Sequence, residues 1–170
     1  MNSEINSADF MKVLESNMGI IYKVVNSYCK EEEDRKDLTQ EIIIQLWHSF
    51  DKYNDQFKYS TWIYRIALNV SISFYRKGKR RKEISHPLTE NILATIKYEE
   101  DDESKYLIEL LQNFISDLKE LDRALMILYL EERSHKDISE ILGISETNAA
   151  TKVNRIKKLL KQKFSEINLE

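Results

Sequence analysis

The chain has 170 residues, enough for one ordinary domain or two small ones, and its three glycines and one proline argue against short strands joined by tight turns. A formal net charge of -3 argues against a uniformly basic nucleic-acid binder, although what decides binding is where the basic groups cluster. One cysteine excludes an internal disulfide framework, no signal segment opens the chain, and no apolar run approaches the roughly 20 residues of a membrane span. The expectation is an all-α, cytoplasmic protein with no membrane insertion.

Phe10, Val13, Leu14, Ile20, Ile21, Val24, Val25 and Tyr28 recur at helical spacing and predict two helices, with a break near Asn17 and Gly19. Asp34 is the expected N-cap of a third helix, whose apolar positions Leu38, Ile42, Leu46 and Phe50 lie on one face and which ends near Asp51. Its opposite face carries Asp37, Gln40 and Glu41. Such a face repels DNA, and it suits either plain solvation or a basic protein partner.

Residues 52–59 read as a loop, and Ser60 is the expected cap of a fourth helix with Trp62, Ile66, Val70 and Phe74 turned inward, ended by Gly78 and the basic cluster around it. From Gln56 to Lys82 there is no Asp or Glu, while Lys58, Arg65, Arg76, Lys77, Lys79, Arg80, Arg81 and Lys82 form a local basic footprint. Arg65, Asn69, Ser73 and Arg76 step along one helical face. Phe57 and Tyr59, on the loop, are candidate stacking surfaces for unpaired bases, whereas Trp62 and Phe74 read as core.

Periodicity lapses between Lys82 and Ser104, where the proline and an acidic run from Glu99 to Glu103 fall. The expected organisation is therefore two small helical domains, residues 1–82 and 105–170, joined by a flexible acidic linker, residues 83–104. Past the linker, Leu107, Leu110, Leu111, Phe114 and Leu118 predict one helix, and Leu121, Leu125, Leu128 and Tyr129 the next.

The last segment has the parts of a helix-turn-helix. Ser134 and Asp137 have capping-box spacing, Gly143 permits the turn, and Ser145 caps a second helix whose buried positions are Ile144, Ala149, Val153 and Ile156. Thr147, Thr151 and Asn154 lie on its outer face, where a recognition helix reaches base edges. Lys152, Arg155, Lys157 and Lys158 suit phosphates. A helical hairpin with a solvated basic face is the plainer alternative.

Chemistry of the enzymatic kind has little support, so no cofactor is expected. His48, His86 and His135 are too scattered for a zinc motif, and Gly19, Gly78 and Gly143 form no phosphate-cradling loop. Cys29 reads as a packing residue ahead of a reactive thiol.

Two blocks resemble a known family. Asp37-Leu38-Thr39-Gln40-Glu41 followed by Trp47, with Ser60-Thr61-Trp62-Ile63-Tyr64-Arg65-Ile66-Ala67, is similar to region 2 of bacterial sigma factors. Leu142-Gly143-Ile144-Ser145-Glu146 and Arg155-Ile156-Lys157-Lys158-Leu159-Leu160 resemble region 4. The short length and the lack of a region between the blocks resemble the extracytoplasmic-function group. Leu68, Ser73, Asn148, Ala149 and Ala150 depart from the residues that many relatives carry there.

The resemblance implies a chain that binds the RNA polymerase core, its beta and beta-prime subunits, and recognises promoter DNA. Asp37, Gln40 and Glu41 would dock on the large subunit's clamp helices. Phe57, Lys58, Tyr59, Arg65, Asn69, Ser73 and Arg76 would read and unpair the minus-ten element. Thr147, Thr151, Lys152, Asn154, Arg155 and Lys158 would read minus-thirty-five duplex. It also implies an anti-sigma protein bound across both domains. A stand-alone helix-turn-helix regulator is the rival reading, and it leaves the Asp37 face and the basic helix without a purpose.

Overall fold

The structure, a computed structural model, describes residues 2–85 and 103–167. Its described residues form seven helices and no strand, which bears out the all-α expectation. The first group is α1 (Asn2–Tyr28), α2 (Glu32–Phe50) and α3 (Tyr59–Ser85). The second is α4 (Glu103–Ser116), α5 (Glu120–Leu130), α6 (His135–Leu142) and α7 (Glu146–Ile167).

In the first group α1 and α2 pack on α3, with Leu14, Ile21 and Val24 of α1, Leu38, Ile42 and Leu46 of α2, and Ile63, Ala67 and Leu68 of α3 all buried. In the second, α5 and α6 pack on α7 around Leu125, Leu128, Ile138, Ile141, Ala149, Val153 and Ile156. Each fully buried Leu or Ile contributes about 1.5–3 kcal/mol, so these stripes hold helices that propensity alone would leave marginal. The groups also touch, because α3 meets α5 and α6.

Four boundaries differ from expectation. The first two predicted helices are one, since Gly19 is exposed and Asn17 donates its side-chain amide to the Val13 carbonyl at 2.7 Å. A helical glycine costs about 1 kcal/mol against alanine, less than the buried stripe running from Phe10 through Tyr28 contributes. Asp34 does not cap α2. The helix starts at Glu32 after Glu31, without a side-chain cap, and Glu32, Glu33 and Asp34 instead place negative charge on the positive end of the helix dipole. Ser60 is likewise inside α3, because the Trp62 amide already bonds the Lys58 carbonyl at 3.1 Å. Finally α3 passes through Gly78 to Ser85 and α4 begins at Glu103, so both ends of the expected linker are helical, while its residues 86–102 lie outside the described residues.

The helix-turn-helix forms as read. Ser134 Oγ accepts from the Asp137 amide at 3.0 Å, the Ser134 amide donates to Asp137 Oδ2 at 3.2 Å, and Gly143 takes the left-handed conformation with φ 67°. Ser145 Oγ accepts from the Asn148 amide at 3.1 Å and caps α7.

Candidate functional site

Three exposed surfaces stand on three different helices. On α2, Asp37, Gln40 and Glu41 are all exposed along one face. The face continues into Ile44 and Trp47, 54% and 41% exposed. The Trp47 ring is held edge-on against Phe10 at 5.0 Å between centroids, which presents one side of it to solvent. Ile44 escaped the sequence reading because it sits in the run Ile42-Ile43-Ile44, although its spacing from Asp37 and Glu41 places all three on one side of the helix. An acidic rim beside apolar surface is the composition of a protein-docking patch.

The second surface is the 51–58 loop with the start of α3. Tyr53 stacks on Tyr59 at 4.3 Å with an interplanar angle of 20°, and Trp62 packs against Tyr53 at 5.4 Å. The Tyr53 hydroxyl donates to the Phe57 carbonyl at 2.5 Å and ties the loop closed. Asp55 has φ 57°, a left-handed turn that aspartate tolerates by local hydrogen bonding. Phe57 is half-buried, so the exposed stacking ring expected there is missing, whereas Tyr59 is exposed as expected. An open cavity of about 430 Å³ lies between α1 and this loop, lined by Asp9, Lys12, Phe50, Tyr53, Asp55 and Tyr59 among others. Burial pushes the Tyr53 phenol above its ordinary value, with Asp55 adding to the shift.

Beyond the loop, Lys58, Arg65, Asn69, Ser73 and Arg76 are all exposed. Arg76 does not stand alone: its Nε lies 3.4 Å from Glu120 Oε1 of α5. The Glu120 carboxyl sits below the usual carboxylate range, first because its own backbone amide donates to it and then because of Arg76. The side chains of Arg80, Arg81 and Lys82 lie outside the described residues.

The third surface is α7. Thr147, Thr151, Asn154, Arg155 and Lys158 are exposed, and Lys152 is half-buried. The Thr151 hydroxyl donates to the Thr147 carbonyl at 2.9 Å, which leaves its lone pairs and its methyl group for a base edge. Arg155 pairs with Asp122 of α5 at 2.9 Å. Lys157, expected at a phosphate, lies over the Tyr129 ring at 4.9 Å.

Comparison with known proteins agrees with this arrangement. The family profile for Sigma-70 region 2 matches residues 13–81, and that for Sigma-70 region 4 matches residues 108–160. The RNA polymerase sigma factor SigZ of Bacillus subtilis is 33% identical over 127 residues, covering 74% of this chain and 70% of the relative. The chain belongs to the sigma-70 family, in its extracytoplasmic-function group. The extracytoplasmic-function sigma factor SigM of Bacillus subtilis is 28% identical over 149 residues, covering 87% of this chain and 90% of the relative.

Two solved structures share the fold: CnrH in complex with the cytosolic domain of CnrY, and RpoE in complex with the anti-sigma factor NepR from Bartonella quintana. The first has a TM-score of 0.67 at 15% identity, covering 94% of this chain and 90% of that one. For the second the values are 0.65, 18%, 91% and 95%. As an RNA polymerase sigma factor the chain directs promoter recognition and transcription initiation. No helix of the described residues is long and apolar enough to cross a membrane.

Proposed function

We propose that this sigma factor divides its work among the three surfaces just described. The acidic and apolar face of α2, with Asp37, Gln40 and Glu41, docks on basic clamp helices of the polymerase core. The 51–58 loop and α3 recognise and melt the minus-ten element: Tyr59 and the cavity beside it receive an extruded base of the non-template strand. Phe57 shapes the loop, and Lys58, Arg65, Asn69, Ser73 and Arg76 hold the separated backbone. Extrusion costs a few kcal/mol of lost stacking, which phosphate contacts and the aromatic pocket offset. Thr147, Thr151 and Asn154 read minus-thirty-five duplex, with Lys152, Arg155 and Lys158 on its phosphates.

The observation that carries the reading is the segregation of charge. One exposed face is acidic with apolar ground, and the two faces rich in hydroxyls, amides and cations stand on other helices. The minus-ten unit is assigned to residues 1–82, the minus-thirty-five unit to residues 105–170, and the connection to residues 83–104. The protein melts DNA by binding, without chemical catalysis of its own, and works in the cytoplasm. An anti-sigma protein is a further partner, a reading supported by the fold likeness to two sigma factors solved in inhibitor complexes. Transcription in vitro with purified core and a random promoter library tests the whole assignment. Enrichment of paired upstream and downstream motifs is expected, and transcription equal to core alone refutes it.

A further inference from the structure

We infer that Asp9 and Lys12 of α1, with Asp55 of the loop, make the cavity beside Tyr59 a selective site that takes an extruded base carrying an exocyclic amino group and excludes thymine. This rests on the base-capture reading proposed above, whose DNA-facing residues include none of α1. Asp9 and Lys12 line the cavity from α1, Asp55 lines it from the loop, and the rings of Phe50, Tyr53 and Tyr59 complete it. Asp9 and Lys12 are three residues apart and so share a helical face. Between them in the chain, Phe10 is buried and its ring meets the Phe50 ring edge-on at 5.3 Å, which sets α1 against the end of α2. Tyr53 stacks on Tyr59 at 4.3 Å and its hydroxyl donates to the Phe57 carbonyl, so the aromatic wall is preformed.

Aromatic rings alone accept any base, because every base has a face to stack. Nor does size sort them, since a cavity of about 430 Å³ falls within the ~300–1,000 Å³ range of ligand sites and is open besides. The polar groups do the sorting. Asp9, Lys12 and Asp55 are all exposed, and their side chains make no hydrogen bond or ion pair among the described residues. A carboxylate accepts and cannot donate, whereas an ammonium donates and cannot accept. Whatever edge enters therefore meets two carboxylates in need of donors and one ammonium in need of an acceptor.

An extruded base is read on its Watson–Crick edge. There adenine and cytosine each offer two amino N–H donors beside a ring nitrogen that accepts, and guanine offers three N–H donors beside a carbonyl. Each of the three can satisfy both carboxylates and the Lys12 ammonium. Thymine has a single ring N–H between two carbonyls, so it satisfies Lys12 and one carboxylate and leaves the other facing oxygen. An acceptor stripped of water and left unpaired costs more than a paired one gains, which turns thymine away. The two carboxylates also repel phosphate, so the base enters while its backbone stays with exposed cations such as Lys58 and Arg65.

The test uses holoenzyme assembled from the full chain and purified core, with a non-template-strand oligonucleotide carrying a downstream motif enriched from the promoter library. The fluorescent analogue 2-aminopurine, placed at each motif position in turn, brightens where the base leaves the stack. That position is then filled with each of the four bases or with 5-methylcytosine, and affinity is read by anisotropy. Thymine should bind about ten-fold more weakly than the other three, and 5-methylcytosine, with the methyl of thymine and the amino group of cytosine, should bind as cytosine does. Asp9→Asn and Asp55→Asn each put an amide, which donates as well as accepts, in place of a carboxylate, and asparagine tolerates the left-handed turn at position 55. Each should bring thymine to within about three-fold of cytosine. Purine in place of adenine and hypoxanthine in place of guanine delete the amino group without altering the protein, and both should weaken binding. Thymine bound by wild type as tightly as cytosine, or a preference unchanged in both variants, overturns the selectivity. Strand binding unaltered by Tyr59→Ala, or no brightening at any position, would instead sink base capture by this cavity.

Discussion

Ser134→Ala removes a single hydroxyl, and with it half of the capping box that anchors the helix-turn-helix. In the wild type that hydroxyl accepts from the Asp137 amide at 3.0 Å and donates to Asp137 Oδ2 at 2.7 Å. The helix it starts, α6, has eight residues, about two turns, and cannot persist without its cap and the burial of Ile138 and Ile141. Loss of an N-cap serine costs about 1 kcal/mol, which for a chain of this size lowers the melting temperature by about 2–4 °C. Urea unfolding is the assay, and the midpoint should drop while the slope stays constant.

Acid gives an independent arm. The Ser134 hydroxyl, and then its amide, bond the ionised Asp137 carboxyl and hold it below the usual carboxylate range. The folded value is thus below the unfolded one, so on acidification the unfolded chain takes up the proton first. The stabilisation is complete above about pH 4 to 5 and is lost as pH falls through the folded value. The stability gap between wild type and Asp137→Asn should therefore be full at neutral pH and shrink in acid. A gap that widens on acidification, or a Ser134→Ala midpoint equal to wild type, would refute the capping argument.

Asp37→Lys with Glu41→Lys changes exposed side chains outside the core, so thermal unfolding should stay within about 2 °C of wild type while core affinity falls by ten-fold or more. Unchanged affinity in an equilibrium titration removes the docking role. Asn69→Ala and Arg76→Ala should each reduce permanganate reactivity of the melted minus-ten thymines on a cognate promoter while leaving core binding intact; normal reactivity in both excludes α3 from strand separation.

What was legible in the sequence was local. The capping box and the Gly143 turn bond residues within one or two turns of each other, so spacing alone announces them. The apolar stripe of α2 was legible as well, because Leu38, Ile42 and Leu46 repeat at the helical period and are all buried. On α3 the expected inward stripe was displaced: Trp62, Ile66, Val70 and Phe74 are half-buried, and Ile63, Tyr64, Ala67 and Leu68 fill the core instead, because α3 is packed by helices on more than one side. The expected break at Gly19 failed because a local cost of about 1 kcal/mol was set against burial by partners remote in sequence. Arg123 was illegible for the same reason. Among Leu121, Ala124 and Leu125 it reads as a solvated cation at the edge of an apolar stripe, and only the arrival of Tyr28 and Tyr75 from the other half makes it a buried one. Of the DNA-facing set, Arg65 and Asn69 are exposed as expected, but the paired state of Arg76 and Arg155 depends on Glu120 and Asp122, whose relation to them no spacing rule encodes.

Those pairs also bear on how a chain of net charge -3 meets DNA. Glu120, Asp122 and Glu131 each neutralise a cation, two of which belong to DNA-facing helices. A phosphate contact by Arg155 therefore replaces an intramolecular pair that salt weakens too, and the two dependences partly cancel. Asp122→Asn frees Arg155 without moving the recognition helix. It should tighten binding to upstream duplex at low salt and steepen the decline of log affinity with log salt by up to about one unit. Equal slopes for wild type and Asp122→Asn would mean that Arg155 meets no phosphate, and that the acidic turn of α5 restrains nothing that DNA uses.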